Sequence, residues 1–487
     1  MMDRQTMTFN AIFSIVFSIF VVFVLYEGAR AARKNKGERD FLIAGGGMGA
    51  WVGGASIAAT QMSAGTFVGT LGIHYLTGSS FLAATLGIWA AFLIAGLVIA
   101  PRLKRYINRR GALTFPDFIA DRFGPKGPRL VITILLIVAY TVFLSAQYQA
   151  GGVVFNIVFG IPFVWGATIL MVFIVLYTVI GGMTAVMRTD LIQQIVMAGA
   201  AIVGVPFAIH QAGGLASLGS SFAAVAPDFT GWSYGWVDLL GFMMGFGFAA
   251  LCAPVLLMRF FAMRDDKTAA RGSVVAVLFT MLTFGSIAII GMCMRVISPN
   301  LDPDAAASVF AIEVLPPVIG SILLTAVIAA VLSTVDSVLL VVGPAVSHDI
   351  YATFVRPEAD ERSRMRVNRI ATVVLGAFPI LLTFMQLDLI QFIVLAYAAL
   401  IGSTVFAPLV FGLFWRKATP AGGMASMLSG FGVCLIWYLI GQPFVDPVIP
   451  GIIVNVAVML VVSKLTKTSD TDVLNTFFQP ARVSSKS

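Results

Sequence analysis

Charged residues are scarce in this chain of 487 residues: Asp, Glu, Lys and Arg together make up 11% of it, against roughly 25% in ordinary soluble domains. Apolar residues other than glycine make up 59%. These proportions exclude a soluble globular enzyme and a disordered scaffold. Because about 20 consecutive apolar residues cross a bilayer as one helix, the long apolar runs predict an all-α, polytopic membrane protein.

Cysteine and histidine are also rare. The three cysteines lie far apart inside apolar runs, which excludes a disulfide framework and a cysteine metal site: Cys252, Cys293 and Cys434. The three histidines are scattered, and no His-Glu-x-x-His motif occurs. We therefore expect no enzyme, no catalytic residue and no resident cofactor.

The apolar runs predict thirteen transmembrane helices, near 8–29, 46–76, 78–100, 129–159, 161–180, 188–211, 235–258, 272–297, 317–346, 369–386, 388–414, 420–440 and 446–464. With the N-terminus outside, all Lys and Arg residues except Arg4 and Arg295 fall on the inward side. The net charge of +8 is then a topology signal, and no nucleic-acid partner is expected. We predict a multi-pass protein of a bacterial-type plasma membrane with its C-terminus in the cytoplasm.

Two of these helices have segments that look unwound in the middle of the membrane. Residues 58–66 are small and hydroxyl-rich, and residues 241–254 are rich in glycine and end in Pro254. Small residues also allow close helix packing, which is the alternative interpretation. Once the first helix is set aside, however, the two segments lie in matching helices of two five-helix halves, as in inverted-repeat transporters.

The corresponding division of the chain has four parts. An extra helix and a basic loop occupy residues 1–45, and the two five-helix repeats occupy 46–211 and 212–414. Two further helices and a short tail occupy 415–487. The expected surroundings are the lipid bilayer, and no obligate protein partner is evident.

A polar stripe lies on the ninth predicted helix, where Ala330, Ser333, Thr334 and Ser337 share one face. Hydroxyl and carbonyl oxygens suit a small alkali cation, which favours Na⁺ as the coupling ion. Asp336 on the same helix and Asp190 could carry protons if they were buried, so proton coupling is the alternative. The competing interpretations are a solvated carboxylate at a helix start for Asp190, and hydroxyls bonded to their own helix beside a water-exposed Asp336.

Six motifs together resemble the sodium:solute symporter family over nearly the whole chain: Asp40–Gly46, Ala59–Ser63, Leu113–Gly124, Gly181–Asp190, Leu332–Thr334 and Gly412–Lys417. The resemblance implies a leucine-transporter-type fold of two inverted five-helix repeats. It also implies sodium-coupled symport of a small organic solute by alternating access.

The resemblance further assigns site residues. The sodium ligands would be the carbonyls of Ala59, Met62 and Ala330 with the hydroxyls of Ser333 and Thr334. Some members of the family hold a second sodium, for which Asp190 and Ser337 are the candidates here, beside Ser333. The candidate solute-binding residues are Ser63, Thr66, Gln147, Phe246 and Ala250, although Gln147 could instead make a hydrogen bond between helices.

The nature of the solute follows less directly. Proline carriers place large aromatic residues where this chain has Phe246 and Ala250, so proline is not favoured. We expect a carboxylate-type solute, held by the dipole at a helix end, because no Lys or Arg is expected deep in the core.

Overall fold

The structure is a computed structural model that describes residues 4–33, 37–226, 228–231, 234–386, 388–443 and 445–478. Eleven helices in these ranges are long and apolar enough to cross a membrane, and a shorter apolar helix spans Phe163–Val179. The all-helical prediction is confirmed, whereas the count of thirteen spans stays a prediction. Residues 34–36 of the predicted basic loop lie outside the described residues.

The described residues of the first half of the chain form ten α-helices: α1 Arg4–Ala32, α2 Glu38–Ile43, α3 Ala50–Gln61, α4 Leu71–Thr77, α5 Leu82–Ile94, α6 Ala100–Arg110, α7 Phe115–Phe123, α8 Gly127–Phe159, α9 Phe163–Gln211 and α10 Leu218–Val225. Wider π-helical turns at Gly65–Thr70 and Ala95–Ile99 join α4 and α6 to the chain before them.

The second half contains eleven: α11 Trp236–Cys252, α12 Pro254–Ala262, α13 Asp266–Ile297, α14 Ala306–Val309, α15 Pro317–Pro344, α16 Glu361–Ala377, α17 Ile380–Phe384, α18 Ile390–Phe414, α19 Pro420–Leu439, α20 Val448–Leu465 and α21 Thr471–Phe478. A π-helical segment, Ala345–Val355, extends α15.

Both predicted unwound segments interrupt helices. The first break lies between α3 and the turn that leads into α4, where Met62 leaves the helical region with ψ 87°. The second is a single residue, Ala253, with φ −60° and ψ 120°, followed at once by Pro254 at the start of α12. Proline fits there because the first N–H groups of a helix have no partner within it.

A third interruption was not predicted. Gly182, with φ 68° and ψ 178°, bends the long helix α9, and the backbone is helical again from Met183 onward. A positive φ favours glycine because it has no Cβ to clash with the backbone. Asp190 therefore lies two turns inside a helix, and its interpretation as a solvated residue at a helix start is wrong.

The breaks lie in the middle of the bundle because the most buried helices surround them. α15 and α18 are the central helices, each buried over 83% of its apolar window, whereas the first helix is buried over only 22% of its window. α15 packs against α9, α8 and α3, and α13 packs against α3. Close packing is possible where Gly87 on α5 meets the Met243 carbonyl, since a Cβ there would lie 2.2 Å from that oxygen.

The bundle has two distinct ends. One end, here called the basic face, is formed by the end of α6, by α7 and by the junctions α12–α13 and α15–α16, and includes Lys104, Arg122 and Arg129. The opposite face carries α10, α14 and the starts of α11 and α18. On the basic face, Met48 pairs with the end of α12, and the buried Lys104 ammonium donates to the carbonyls of Phe261 and Met263.

Candidate functional site

The predicted sodium ligands lie together where the end of α3 meets the middle of α15. The Ser333 hydroxyl is 3.0 Å from the Ala59 carbonyl oxygen and 3.0 Å from the Ala330 carbonyl oxygen. The Thr334 hydroxyl lies 3.4 Å from the carbonyl oxygen of Thr60. All of these residues are buried. Residues 274 positions apart in the chain thus bring several neutral oxygens to one point.

The fifth predicted ligand, Met62, lies at the helix break, three residues after Ala59. Met62 follows the last residue of α3, and its N–H donates to the Ala58 carbonyl at 2.8 Å. Because the ψ of Met62 is not helical, its carbonyl does not continue the hydrogen-bond ladder of α3. Unwound backbone within a membrane is tolerated where it is buried in protein or lines a cavity. Neutral hydroxyls and carbonyls of this kind can replace the hydration shell of a small monovalent cation.

A second polar cluster lies beside the first and contains an arginine. Asp190 and Ser337, the candidates for a second sodium, are both fully buried. The Ser56 hydroxyl donates to Asp190 Oδ2 at 2.5 Å. Arg259 on α12 is fully buried too, with its Nη2 3.5 Å from Asp190 Oδ2 and hydrogen-bonded to Ser337 Oγ. The expectation that no arginine lies deep in the core is therefore wrong.

Asp336 is the other acid of this cluster. It is fully buried, which contradicts the interpretation that it lies near a water-exposed mouth. Its Oδ1 accepts a weak hydrogen bond of 3.3 Å from Ser337, and its Oδ2 has no hydrogen-bond partner among the described residues. A carboxylate in such a place is costly and is by default functional in a membrane protein.

Two small cavities beside the first break form the candidate solute pocket. Their volumes are about 20 Å³ and about 30 Å³, so the pocket is closed around little more than a water molecule. Both cavities are lined by Gln61, Ser63, Phe246 and Val394. The predicted residues Ser63 and Phe246 are thus in the lining, and Thr66 lines the first cavity.

The other two predicted solute residues lie differently. The Gln147 side-chain oxygen accepts the Ala64 N–H at 2.9 Å, and its amide group donates to the Phe143 carbonyl at 3.4 Å. This is the hydrogen bond between helices that was the alternative for Gln147. Ala250 is buried in α11, where its neighbour Ala249 lines the second cavity instead.

Two glutamines that the sequence interpretation missed line the pocket. Gln61 is the last residue of α3 and is partly exposed to both cavities. Gln391 lines the first cavity, and its side-chain oxygen lies 3.2 Å from the hydroxyl of Thr70. The signal for Gln61 was its position inside the unwound motif. Gln391, in contrast, stands at the start of a distant helix with no motif around it.

A large vestibule of about 740 Å³ opens on the opposite face. Its lining includes three carboxylates, Asp238, Asp388 and Asp446, and contains no Lys, Arg or His among the described residues. Burial raises the pKa of Asp446 to about 6. The hydrogen bond that its carboxylate accepts from the Val448 N–H lowers this pKa, but by less than burial raises it. The centroid of the Phe242 ring in this lining lies 5.2 Å from that of Phe81, which in turn lies 5.9 Å from the ring centroid of Phe246 in the pocket. These aromatic rings separate the vestibule from the pocket.

A cluster on the basic face joins α7, α8 and the extension of α15. Arg129 bridges two carboxylates, Asp117 at 3.0 Å and Asp349 at 2.9 Å. Burial raises the pKa of Asp117, but the hydrogen bond from His348 and the charges of His348 and Arg129 outweigh burial and lower it overall. Oxygen and nitrogen atoms of Asp117, His348 and Asp349 are close enough to hold a metal ion. Because the Arg129 guanidinium bridges the two acids, we interpret the cluster as a latch between helices.

Comparison with known proteins finds relatives over nearly the whole chain. The sequence is 28% identical to the osmoregulated proline transporter OpuE of Bacillus subtilis, over 92% of this chain and 94% of that protein. It is also 28% identical to the sodium/proline symporter of Staphylococcus aureus strain JH9, over 93% and 92% of the two chains. In structure it resembles a Na⁺-coupled sialic acid symporter with a TM-score of 0.81 at 18% identity, over 94% of this chain and 99% of that one.

The fold is that of transporters of the leucine-transporter type, in which interrupted helices surround a central site. The sequence profile described as "Sodium:solute symporter family" matches residues 41–430, and the chain belongs to that family. The chain is therefore a multi-pass membrane transporter.

Proposed function

We propose that this protein couples the import of a small organic solute to the entry of Na⁺ by alternating access. The observation that carries the proposal is the position of the Ser333 hydroxyl, 3.0 Å from carbonyl oxygens of both α3 and α15. The sodium ligands would be the carbonyls of Ala59, Met62 and Ala330 with the hydroxyls of Ser333 and Thr334.

The sodium ion would act by joining two helices that must separate during transport. With its ligands shared between the end of α3 and α15, the ion stabilises the conformation in which they are close. A ligand changes a conformational equilibrium only through its different affinities for the two states. The solute pocket begins at Ser63, the residue after Met62, so the same conformation also completes the pocket. This shared element couples the two ligands.

The solute that fits best carries a carboxylate. The lining of the closed pocket is neutral and offers the side chains of Gln61, Ser63 and Thr66. The second half of the broken helix begins beside this pocket, and the partial positive charge of a helix N-terminus favours an anionic group. Phe246 would pack against the apolar part of the solute.

The orientation that we propose places the basic face in the cytoplasm of a bacterial-type plasma membrane. The N-terminus is then outside, and the C-terminal helix α21 lies inside. The acidic vestibule opens outward, where Na⁺ would enter. The four-part division at residues 45, 211 and 414 is proposed with it.

The double variant S333A/T334A tests the sodium site. We expect its Kd for Na⁺ to rise at least tenfold, about 1.4 kcal/mol, because two ligand oxygens are lost. The measurement is the thermal stabilisation of the purified protein across a series of NaCl concentrations, with choline chloride keeping the ionic strength constant. The matched control is S321A/T325A on the same helix, whose hydroxyls bond only to carbonyls of α15 itself. An unchanged sodium response in S333A/T334A would refute the site.

A screen of small carboxylates by thermal shift, with and without Na⁺, tests the solute class. Stabilisation by a carboxylate only in the presence of Na⁺ is the expected result. Uptake in proteoliposomes that continues without Na⁺ and stops when the pH gradient is removed would instead indicate proton-coupled symport.

A further inference from the structure

Arg259 makes contacts that are unusual for an arginine in a membrane protein. Its side chain is fully buried, and its guanidinium group donates to Asp190 and Ser337 from Nη2 and to Ser56 from Nε at 3.2 Å. Nη1 donates to the Val255 carbonyl at 2.9 Å, one turn earlier on α12. Arginine near a helix end usually extends toward the membrane surface. Arg259 instead points inward to the centre of the bundle.

The guanidinium group lies on the two residues that are the candidates for a second sodium. Asp190 Oδ2 and Ser337 Oγ both accept hydrogen bonds from the same atom, Nη2. A sodium ion that used these two oxygens would have to occupy the volume of that nitrogen. The positive charge required by Asp190 is thus already supplied by the protein.

We propose that the guanidinium group of Arg259 takes the place of a second sodium ion, so that the carrier binds one Na⁺ in each transport cycle. The inference rests on the proposed function, because it assumes the sodium site of Ser333 and Thr334. In this arrangement the second cation is tethered to α12, the helix that follows the second break. It moves with that helix and is never released to the cytoplasm.

The charges around Arg259 show why this position needs a cation. Asp190 and Asp336 are both fully buried, and one oxygen of each lacks a hydrogen-bond partner among the described residues. A buried charge is strongly destabilising when its partner is removed, typically by several kcal/mol. Without the guanidinium group, two acids would face each other with no neutralising charge. A cation from solution would then be drawn into the space that the arginine leaves.

The test counts bound ions directly, with radioactive Na⁺ alone as the probe and the purified full-length protein. We expect about one Na⁺ per wild-type protein and about one for R259K, which keeps a cation at the same place. The variant R259Q should bind about two, because Asp190 and Ser337 become available. The double variant R259Q/D190N removes the acid together with the cation and should return to about one.

The outcomes distinguish this inference from the proposed function. Two ions per wild-type protein, or one ion at unchanged Kd in R259Q, would overturn the inference and leave sodium-coupled transport intact. Absence of bound Na⁺ in the wild-type protein would overturn both. If R259Q does not fold, the counts for the wild type and R259K still decide, since two ions in either would refute the tethered cation.

Discussion

Asp304 shows how a single residue outside the membrane-spanning segments can make stability depend on pH. Its carboxylate accepts the Ile390 N–H at 3.2 Å and so caps the first turn of α18. Burial raises the pKa of Asp304 to about 6, and the charges of Asp302 and Asp388 act in the same direction against the lowering effect of that hydrogen bond. The pKa in the unfolded chain is about 3.9, so the folded state binds this proton more tightly.

The sign of the effect follows from proton linkage. The stability that Asp304 contributes through its proton is fully present below pH 4 and is lost as the pH rises through 6. The variant D304N keeps an oxygen for Ile390 and has no proton to lose. The thermal midpoint of D304N should therefore rise relative to that of the wild type between pH 4 and pH 7. The corresponding change in the difference between their free energies of unfolding is about 2 kcal/mol. Parallel curves for D304N and wild type would contradict the prediction.

The residues that could be predicted from the sequence are those with a local pattern. Ser333 and Thr334 share a helix face with Ala330, and hydroxyls in an otherwise apolar helix stand out. Arg259 could not be predicted, because an arginine next to a loop has the same appearance whether it anchors the topology or turns inward. Only the packing of α12 against α3 and α15 decides between these cases.

At the scale of secondary-structure elements, the broken helices depend on side chains from α8. The Gln147 oxygen accepts the first free N–H after the break in the first broken helix, from Ala64. In the second broken helix, the Tyr140 hydroxyl accepts the N–H of Val255 at 3.0 Å. The breaks themselves were predictable from small residues and Pro254. Their partners were not, because contacts between helices far apart in sequence leave no local pattern.

The variant Q147L tests whether this cap positions the proposed sodium site. It leaves a buried N–H unpaired at a cost of about 1–3 kcal/mol, which disfavours the interrupted conformation. Because the break presents the Ala59 and Met62 carbonyls, we expect the Kd for Na⁺ to rise about tenfold. The measurement is again sodium-dependent thermal stabilisation. The matched control is Q149L on the same helix, where Gln149 donates to the Asp388 carbonyl at 2.9 Å, away from the sodium site. Equal shifts in both variants would show only a general loss of stability.

At the scale of the whole molecule, the two ends of the bundle are closed in different ways. On the opposite face, the rings of Phe242 and Phe81 separate the vestibule from the pocket. On the basic face, the Arg129 latch joins α7, α8 and α15, and Lys104 fixes the end of α12. The sequence predicted the charge of this face through its topology, but not that its charges pair into a latch. Transport by alternating access would require this face to open.

The C-terminal helix α21 adds a further layer to the basic face. The Phe477 ring stacks on Tyr106 with centroids 4.9 Å apart, and it also lies 5.8 Å from the ring of Phe118 on α7. Arg109 donates to the Thr476 carbonyl at 2.8 Å, and Arg122 donates to Ser469 at 2.9 Å. α21 thus packs the C-terminal segment against α6 and α7 on the basic face.

The variant F477A should loosen this face without disturbing the opposite one. An aromatic pair of this kind contributes about 1 kcal/mol beyond the area it buries, so the loss raises the population of open conformations about fivefold. We expect faster hydrogen–deuterium exchange in residues 113–124, which include α7, and unchanged exchange in α10. The neighbouring variant F478A is the control for ring packing: it loses only the contact of Phe478 with Arg122 of α7, and should therefore accelerate exchange less than F477A. Equal exchange of α7 in F477A and wild type would show that the tail does not hold the basic face closed.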